Sequence, residues 1–458
     1  MGFTERLARF ALDNNSFDKL PPDVVLLSKE MMVNAAAVAL AAAAQPEGRT
    51  LTQFVQEMQG NGKCTIIGMG LRTSPVYAAL TNGTMVHLLD FDDEITPRGI
   101  HPSCTVFPAV MALGEMNGIE GKDVLTAYAI GCEVTSKLAG IDRLNAPALY
   151  PVSSPCRHRD GVAGAIGATL AAALLLNLDQ EQIENALGIA CGAAAGIRAN
   201  LASGARALQC GRAGMNGVMA ASLAQQGCTG ARNAIEAVGG LLDVHWNRDK
   251  VDQEGFFAQL ADPYDIIDLG VTLKLYPCES ASHTAIDALL QLTQQYQIES
   301  GQVASVHVGV TPRALGCLPF VTPQNGWEAR FCLSYIMAAT LLYGPPLIDH
   351  FSDAAVQDGE VRQMMDRVSV ETAETPTRLI PNPSTVAITL SDGRRLQNRV
   401  EFAQGQPELP LDAAELDAKF LYCSRYILPA DHIEEAIDSF RNLENIDNVT
   451  GMASVLGG

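Results

Sequence analysis

Residues 161–178 read GVAGAIGATLAAALLLNL. Small residues at Gly161, Gly164, Ala165, Gly167 and Ala168 give one helix a face with almost no side chains, and such faces let helices approach closely. The apolar run inside it, Ala163 to Leu176, is shorter than the roughly 18 residues that suggest a membrane span, so it reads as a buried helix. This stretch sets the style of the first half of the chain.

Working outward, Val24–Ala44, Pro75–Asp90, Pro102–Glu115, Lys122–Ala139, Gln180–Ala194 and Gln209–Gln226 all carry helical spacing. No stretch there alternates with period two strongly enough to read as a strand. The pattern changes after Asp268. Val303–Val310 (VASVHVGV) and Val368–Thr375 (VSVETAET) read as strands, and Ser384–Val400 reads as a hairpin around Ser391-Asp392-Gly393. Ser282–Tyr296 and Arg330–Tyr343 are helices, and Asp412–Leu443 returns to helix. The expected architecture is mainly α. A large all-helical domain (1–267 plus 405–458) carries an inserted, smaller α+β lid domain (268–404), with the C-terminus packed back on the first part. A cleft between two such units is a usual place for a small-molecule site.

The chain has 458 residues, too many for one ordinary core. Its 18% charged residues and 48% hydrophobic residues exclude a disordered chain. A net charge of −20 argues against nucleic acid and anionic membrane as partners. If the ligand is an anion, the few cations inside apolar or Gly-rich stretches must be gathered at its site. The 11 cysteines are scattered without a CxxC pair, as expected of reduced, mostly buried thiols. Met1–Phe10 lacks the apolar core of a signal peptide, so a cytoplasmic location is expected.

Four constellations carry possible chemistry. His87-Leu88-Leu89-Asp90-Phe91-Asp92-Asp93-Glu94, followed by Arg98 and His101-Pro102-Ser103, crowds carboxylates at the end of an apolar helix. Crowded carboxylates repel and some of their pKa values should rise, which suits acid/base work. A metal loop or a solvated acidic turn fits the same pattern, although EF-hand spacing is missing. Arg157-His158-Arg159-Asp160 opens the small-residue helix in positive potential, either as a neutral base with an anion anchor or as a plain cap by Asp160. Ser203–Arg212 puts Arg206 and Arg212 in what reads as a Gly-bordered turn, either a carboxylate clamp or a surface turn. Lys274-Leu275-Tyr276-Pro277-Cys278 lies at the expected domain junction, where Lys274 and Tyr276 could face the cleft or simply connect. Cys278 reads as a small hydrophobe. No Walker loop, GxGxxG, GxSxG or HExxH is present, and His87 and His101 lie far apart for a zinc pair. A cofactor-free, metal-free acid/base enzyme is what remains.

HLLDFDDE…HPS, the His158 segment running into GVAGAIGATLAAALL, KLYPC…HTAIDALL, and EARFCLSY at Glu328–Tyr335 together resemble the MmgE/PrpD family, collinearly over nearly the whole chain. The resemblance implies a helical large domain, an α+β lid, a homodimer, and an interdomain active site with no metal or organic cofactor. It implies dehydration, decarboxylation or epimerisation of small di- or tricarboxylic acids. Asp90, His101, His158 and Lys274 fall on family motif positions. Departures are Glu94 for a Thr of the decarboxylases, Asp160 for a Thr, Arg206 for a Lys, Ser280 for an Arg, and Cys317 near a Tyr position.

The expectation is therefore that Arg206, Lys274 and Arg159 hold substrate carboxylates while His101 or His158 moves a proton at a carbon α to one of them. Asp90 would orient or protonate its neighbouring His. Dehydration also needs an acid on the leaving hydroxyl, a role open to Glu94. Epimerisation of an iminodisuccinate-like diacid would need bases on two faces, which the His pair could supply. The altered anchor residues leave open a non-catalytic carboxylate-binding relative.

Overall fold

Small residues govern how the helices meet. The computed structural model describes residues 1–142, 158–246, 248–373 and 382–458; Arg157 and the Glu374–Thr375 end of the expected strand lie outside them. The Arg159–Leu175 helix packs against Ser103–Asn117, Gly121–Ala139 and Gly204–Gln225. A Cβ at Gly164 would run into the Thr105 side chain, at Gly167 into the Gly131 carbonyl and Thr135 hydroxyl, and at Gly217 into the Ala168 backbone. Pro75–Leu88 lies equally close to Gly204–Gln225, with Gly211 against the Leu80 carbonyl. Larger side chains would push these helices apart and forfeit contact on both sides.

The Pro22–Ala43 helix packs against this group. By length and composition this helix, and not the Ala163–Leu176 run, is the one among the described residues that could cross a membrane; 72% of its apolar window is buried in the fold. The C-terminal helices Ala413–Ser424 and Ala430–Arg441 pack on it, and Leu416, Phe420, Ile433 and Phe440 join the same core.

A second apolar core draws its buried residues from Tyr276 to Val400. It surrounds a four-stranded sheet in the order Val368–Thr372, Val303–Val310, Ser384–Leu390, Arg395–Val400. The first pair is parallel and the others antiparallel. Gly393, at φ +88°, turns the hairpin expected at that point. The helices His283–Tyr296 and Leu333–Tyr343 pack beside the sheet. The mainly α fold with a small sheet unit is thus as read from the sequence.

Two local expectations fail. The first half does contain strands: Cys64–Ile66 pairs with Leu71–Thr73, and Asp93–Glu94 pairs with Thr272–Leu273. At two or three residues each, they are too short to show alternation. The 203–212 segment is not a turn, because Gly204–Gln225 is one helix. Its Gly211 serves close packing rather than chain reversal.

Candidate active site

The Pro75–Leu88 helix ends just before Asp90, which takes the left-handed conformation at φ +53°. Asp tolerates this region better than most residues, at a strain of about 1–2 kcal/mol. The reversal sends the Asp90 carboxylate toward two cations. Its Oδ1 lies 2.8 Å from Arg206 Nη1 and 3.0 Å from Lys274 Nζ. Lys274 also donates to the Asp90 carbonyl at 3.2 Å. Burial would raise the Asp90 pKa, but Lys274 and Arg206 outweigh it and hold the carboxyl well below the usual range. Burial would likewise lower both cations, yet Asp90 keeps their pKa values raised. Arg206 lies 5.2 Å from the Phe331 ring centroid. One of its N–H donors is committed to Asp90 and others remain for a ligand.

Arg206 and Arg212 are six positions apart on one helix, which places them on different faces. Arg206 is buried in the cluster and Arg212 is exposed.

Three imidazoles stand beside the ion cluster. The ring centroids of His87 and His101 are 4.6 Å apart, and those of His87 and His158 are 6.0 Å apart. His101 Nδ1 lies 2.9 Å from the Asp93 carbonyl oxygen, which can only accept, so Nδ1 carries the proton and Nε2 the lone pair. His87 Nδ1 faces Asp92 Oδ2 at 2.7 Å, and the His87 Nε2 has no partner among the described residues. His158 stands at the N-cap of the small-residue helix, and its backbone N–H donates to Gly196 O. Burial, countered in part by Asp92, pushes His101 down to about 4. Burial and then Arg206 push His158 down to about 3. Both rings are neutral at pH 7.

Asp160 is not the helix cap; its Oδ1 accepts from the His101 backbone N–H at 2.6 Å, and its Oδ2 lies 3.5 Å from His158 Nδ1. One carboxylate therefore ties the two histidine segments together. The crowded carboxylates respond as repulsion and burial require. Asp92 is raised by burial, and burial followed by Asp92 pushes Asp93 up to about 7. Glu94 accepts a hydrogen bond from Ser280 Oγ, so two of the departures from the family pattern touch one another.

Other expected residues make bonds outside the Asp90 ion pairs. Tyr276 does not offer its hydroxyl to the cluster: a buried phenol needs an acceptor, and it donates to Asp287 Oδ1 at 2.7 Å. Arg159 Nη1 donates to the Arg98 carbonyl at 2.7 Å. Cys278 is buried and its thiol is pushed up to about 12, as befits an inert hydrophobe.

Sequence reasoning also missed residues. Spacing in the chain set His87 and His101 apart as a ligand pair, but the fold brings their rings together. Two groups, His87 with Asp92 and His101, and His87 with His158 and Cys210, have donor atoms within 4.8 Å of one another. Burial, then Asp90 and Glu94, pushes Glu279 up to about 7 beside the cluster. Lys419 is buried against it from the C-terminal helix. Its only signal was position: Leu416, Lys419, Phe420 and Cys423 lie at i, i+3, i+4 and i+7, which puts a lysine on an apolar face.

Comparison with known proteins matches this frame to two family models. The one described as MmgE/PrpD N-terminal domain matches residues 5–254, and the one described as MmgE/PrpD C-terminal domain matches residues 276–445. The chain is 26% identical to a cis-aconitate decarboxylase of Homo sapiens over 450 residues, covering 95% of this chain and 90% of that one. It is 25% identical to a cis-aconitate decarboxylase of Aspergillus terreus over 482 residues, covering 99% and 96%. It is 23% identical to a 2-methylcitrate dehydratase of Escherichia coli K12 over 363 residues, covering 73% and 71%.

Proposed function

The chain belongs to the MmgE/PrpD family, and from that premise we propose that it is a lyase that needs no metal or organic cofactor. It acts by acid/base chemistry at a carbon α to a carboxylate of a small tricarboxylic acid, with cis-aconitate as the first substrate to test. The observation that carries this reading is a pair of neutral imidazoles, His101 and His158, beside an Asp90 carboxylate clamped by Arg206 and Lys274.

The proposed division of labour follows from the donors. Arg206 and Lys274 keep N–H groups for a substrate carboxylate and offset the negative charge that builds on carbon as the reaction proceeds. Asp90 holds the two cations in place. His101, with Nδ1–H donated to Asp93, presents Nε2 to take or return a proton, and His158 acts from the neighbouring position. In decarboxylation the carboxylate leaves as CO2, and the electron pair left behind takes up a proton that is drawn from water and relayed to the carbon through the neutral imidazole. The relatives with high coverage of both chains favour this reaction. Dehydration is the second reading, favoured by Asp93: a carboxyl with a pKa of about 7 is half protonated at neutrality and is a fit acid for a leaving hydroxyl.

The two-unit organisation, residues 1–267 with 405–458 and residues 268–404, is part of the proposal. The composition of the two apolar cores supports it, with Val271, Leu273 and Ile348 of the second unit joining the first core.

The test is NMR of the purified protein in D2O with cis-aconitate, 2-methylcitrate, citrate and iminodisuccinate stereoisomers. Decarboxylated product carrying deuterium from cis-aconitate is the expected result. Turnover of 2-methylcitrate alone would establish the dehydratase reading. Solvent exchange with iminodisuccinate alone would establish an epimerase. Binding without turnover or exchange would make the chain a carboxylate-binding relative.

A further inference from the structure

Lys419 lies far from the active-site motifs in sequence, on the C-terminal helix Ala413–Ser424, yet its side chain ends between the two segments that carry Asp90 and Lys274. The residue is only 4% exposed. Its Nζ donates to Asn34 Oδ1 at 2.7 Å, to the Phe91 carbonyl at 2.8 Å and to the Lys274 carbonyl at 2.6 Å. It sits 3.8 Å from the centre of the Phe91 ring. All three hydrogen bonds go to neutral oxygens, and three is the full donor capacity of an ammonium.

Burial lowers the Lys419 amine to about 7, so holding it charged among its three acceptors is costly, and apolar residues of like volume usually serve stability better. Two of its acceptors are main-chain carbonyls directly at the reacting segments: one follows Asp90, the other is that of Lys274 itself. Those segments are also joined by the two-residue ladder of Asp93–Glu94 with Thr272–Leu273 and by the Lys274 side chain on Asp90. We propose that Lys419 is a positioning residue, which ties the Phe91 and Lys274 carbonyls to one point and so holds the Asp90 carboxylate against the Lys274 ammonium. Asn34, on the Pro22–Ala43 helix, fixes the ammonium from behind. The C-terminal helix is thereby part of the site without touching a substrate.

The test uses the full chain and two variants. Lys419→Met keeps the length and removes every donor; Asn34→Leu removes only the rear acceptor. Amide hydrogen exchange, measured without any substrate, should quicken about tenfold in peptides covering 89–95 and 271–276, while the Gly121–Ala139 helix is unchanged. Asn34→Leu should show the same pattern more weakly, and it serves where Lys419→Met does not fold. With cis-aconitate as probe, Lys419→Met should lower kcat by about 100-fold with KM nearly constant, because misplacement of about 1 Å has that effect. Lys419→Arg should recover part of the loss. The turnover arm rests on the proposed reaction and the exchange arm does not, so failure of one is separable from failure of the other. Unchanged exchange at 89–95 and 271–276, or quickening spread evenly over the chain, would overturn the proposal.

Discussion

Two clusters of buried charge lie in the helical part of the molecule, and they are built differently. In the first, Asp265 takes a two-point bond from Arg98 (2.7 and 3.1 Å), an ion pair from Lys137 (2.7 Å) and a hydroxyl from Ser136 (2.6 Å). Glu133 beside it accepts the backbone N–H groups of Ala261 and Asp265. Both carboxylates there have partners on each oxygen, and among the described residues Arg98 Nη1 is left without one. In the second, around Asp90, the atoms Asp90 Oδ2, Asp92 Oδ1, Asp93 Oδ1 and His87 Nε2 are buried without a partner among the described residues. Unpaired buried polar atoms are expensive, so a fold keeps such a set where something else completes it. The first cluster is closed on its carboxylates and the second is open, and the proposed reaction is assigned to the open one.

The largest expected effect tests the closed cluster. Asp265→Ala leaves Arg98 and Lys137 buried without their carboxylate and should cost about 3–5 kcal/mol of stability. Turnover per folded molecule should hold, and urea unfolding together with the NMR assay checks both. Next comes the open cluster. His158→Gln should lower turnover about 10²–10⁴-fold while moving the melting temperature by less than about 3 °C. If His158→Gln unfolds the protein, or Asp265→Ala abolishes turnover of folded enzyme, the distinction is broken.

The pH dependence sharpens it. His101 falls from 6.5 to about 4, so the unfolded chain binds more protons across that window. Its contribution is complete above pH 6.5 and is lost as pH falls toward 4. Asp93 rises from 3.8 to about 7, so its contribution is complete below 3.8 and is lost as pH rises toward 7. Asp93→Asn should therefore stabilise by on the order of 4 kcal/mol at pH 8 and change little at pH 4. His101→Gln should flatten the acid limb instead, and urea midpoints at several pH values read both. The smallest effect is expected at Arg212: Arg212→Ala on the exposed face should shift stability by less than about 0.5 kcal/mol and leave turnover unchanged.

What the sequence made legible follows from length scales. Helices of 14 to 22 residues display their period many times, so Pro75–Leu88 and Gly204–Gln225 could be found, if not bounded. Strands of two residues display none, and the Asp93–Glu94 pairing with Thr272–Leu273 was invisible. The motif residues Asp90, His101, His158, Arg206 and Lys274 were each found from local pattern or resemblance, and the fold brings them together. What stayed hidden depends on distant partners. Tyr276 could not be assigned without Asp287, nor Asp160 without the His101 backbone, nor Lys419 without Phe91 and Asn34.

Gly211 sets a dimension of the molecule. It stands against the Leu80 carbonyl, one residue type too small to be enlarged. Arg206 lies five residues before it on the same helix, roughly 7.5 Å along the axis, and the Leu80 helix leads to Asp90. The thickness of a single hydrogen atom at 211 is thus the gauge that fixes how far the guanidinium reaches. A methyl at 211 would meet the Leu80 carbonyl and the Thr84 hydroxyl, so the two helices would have to part, and with them the guanidinium and the carboxylate they carry.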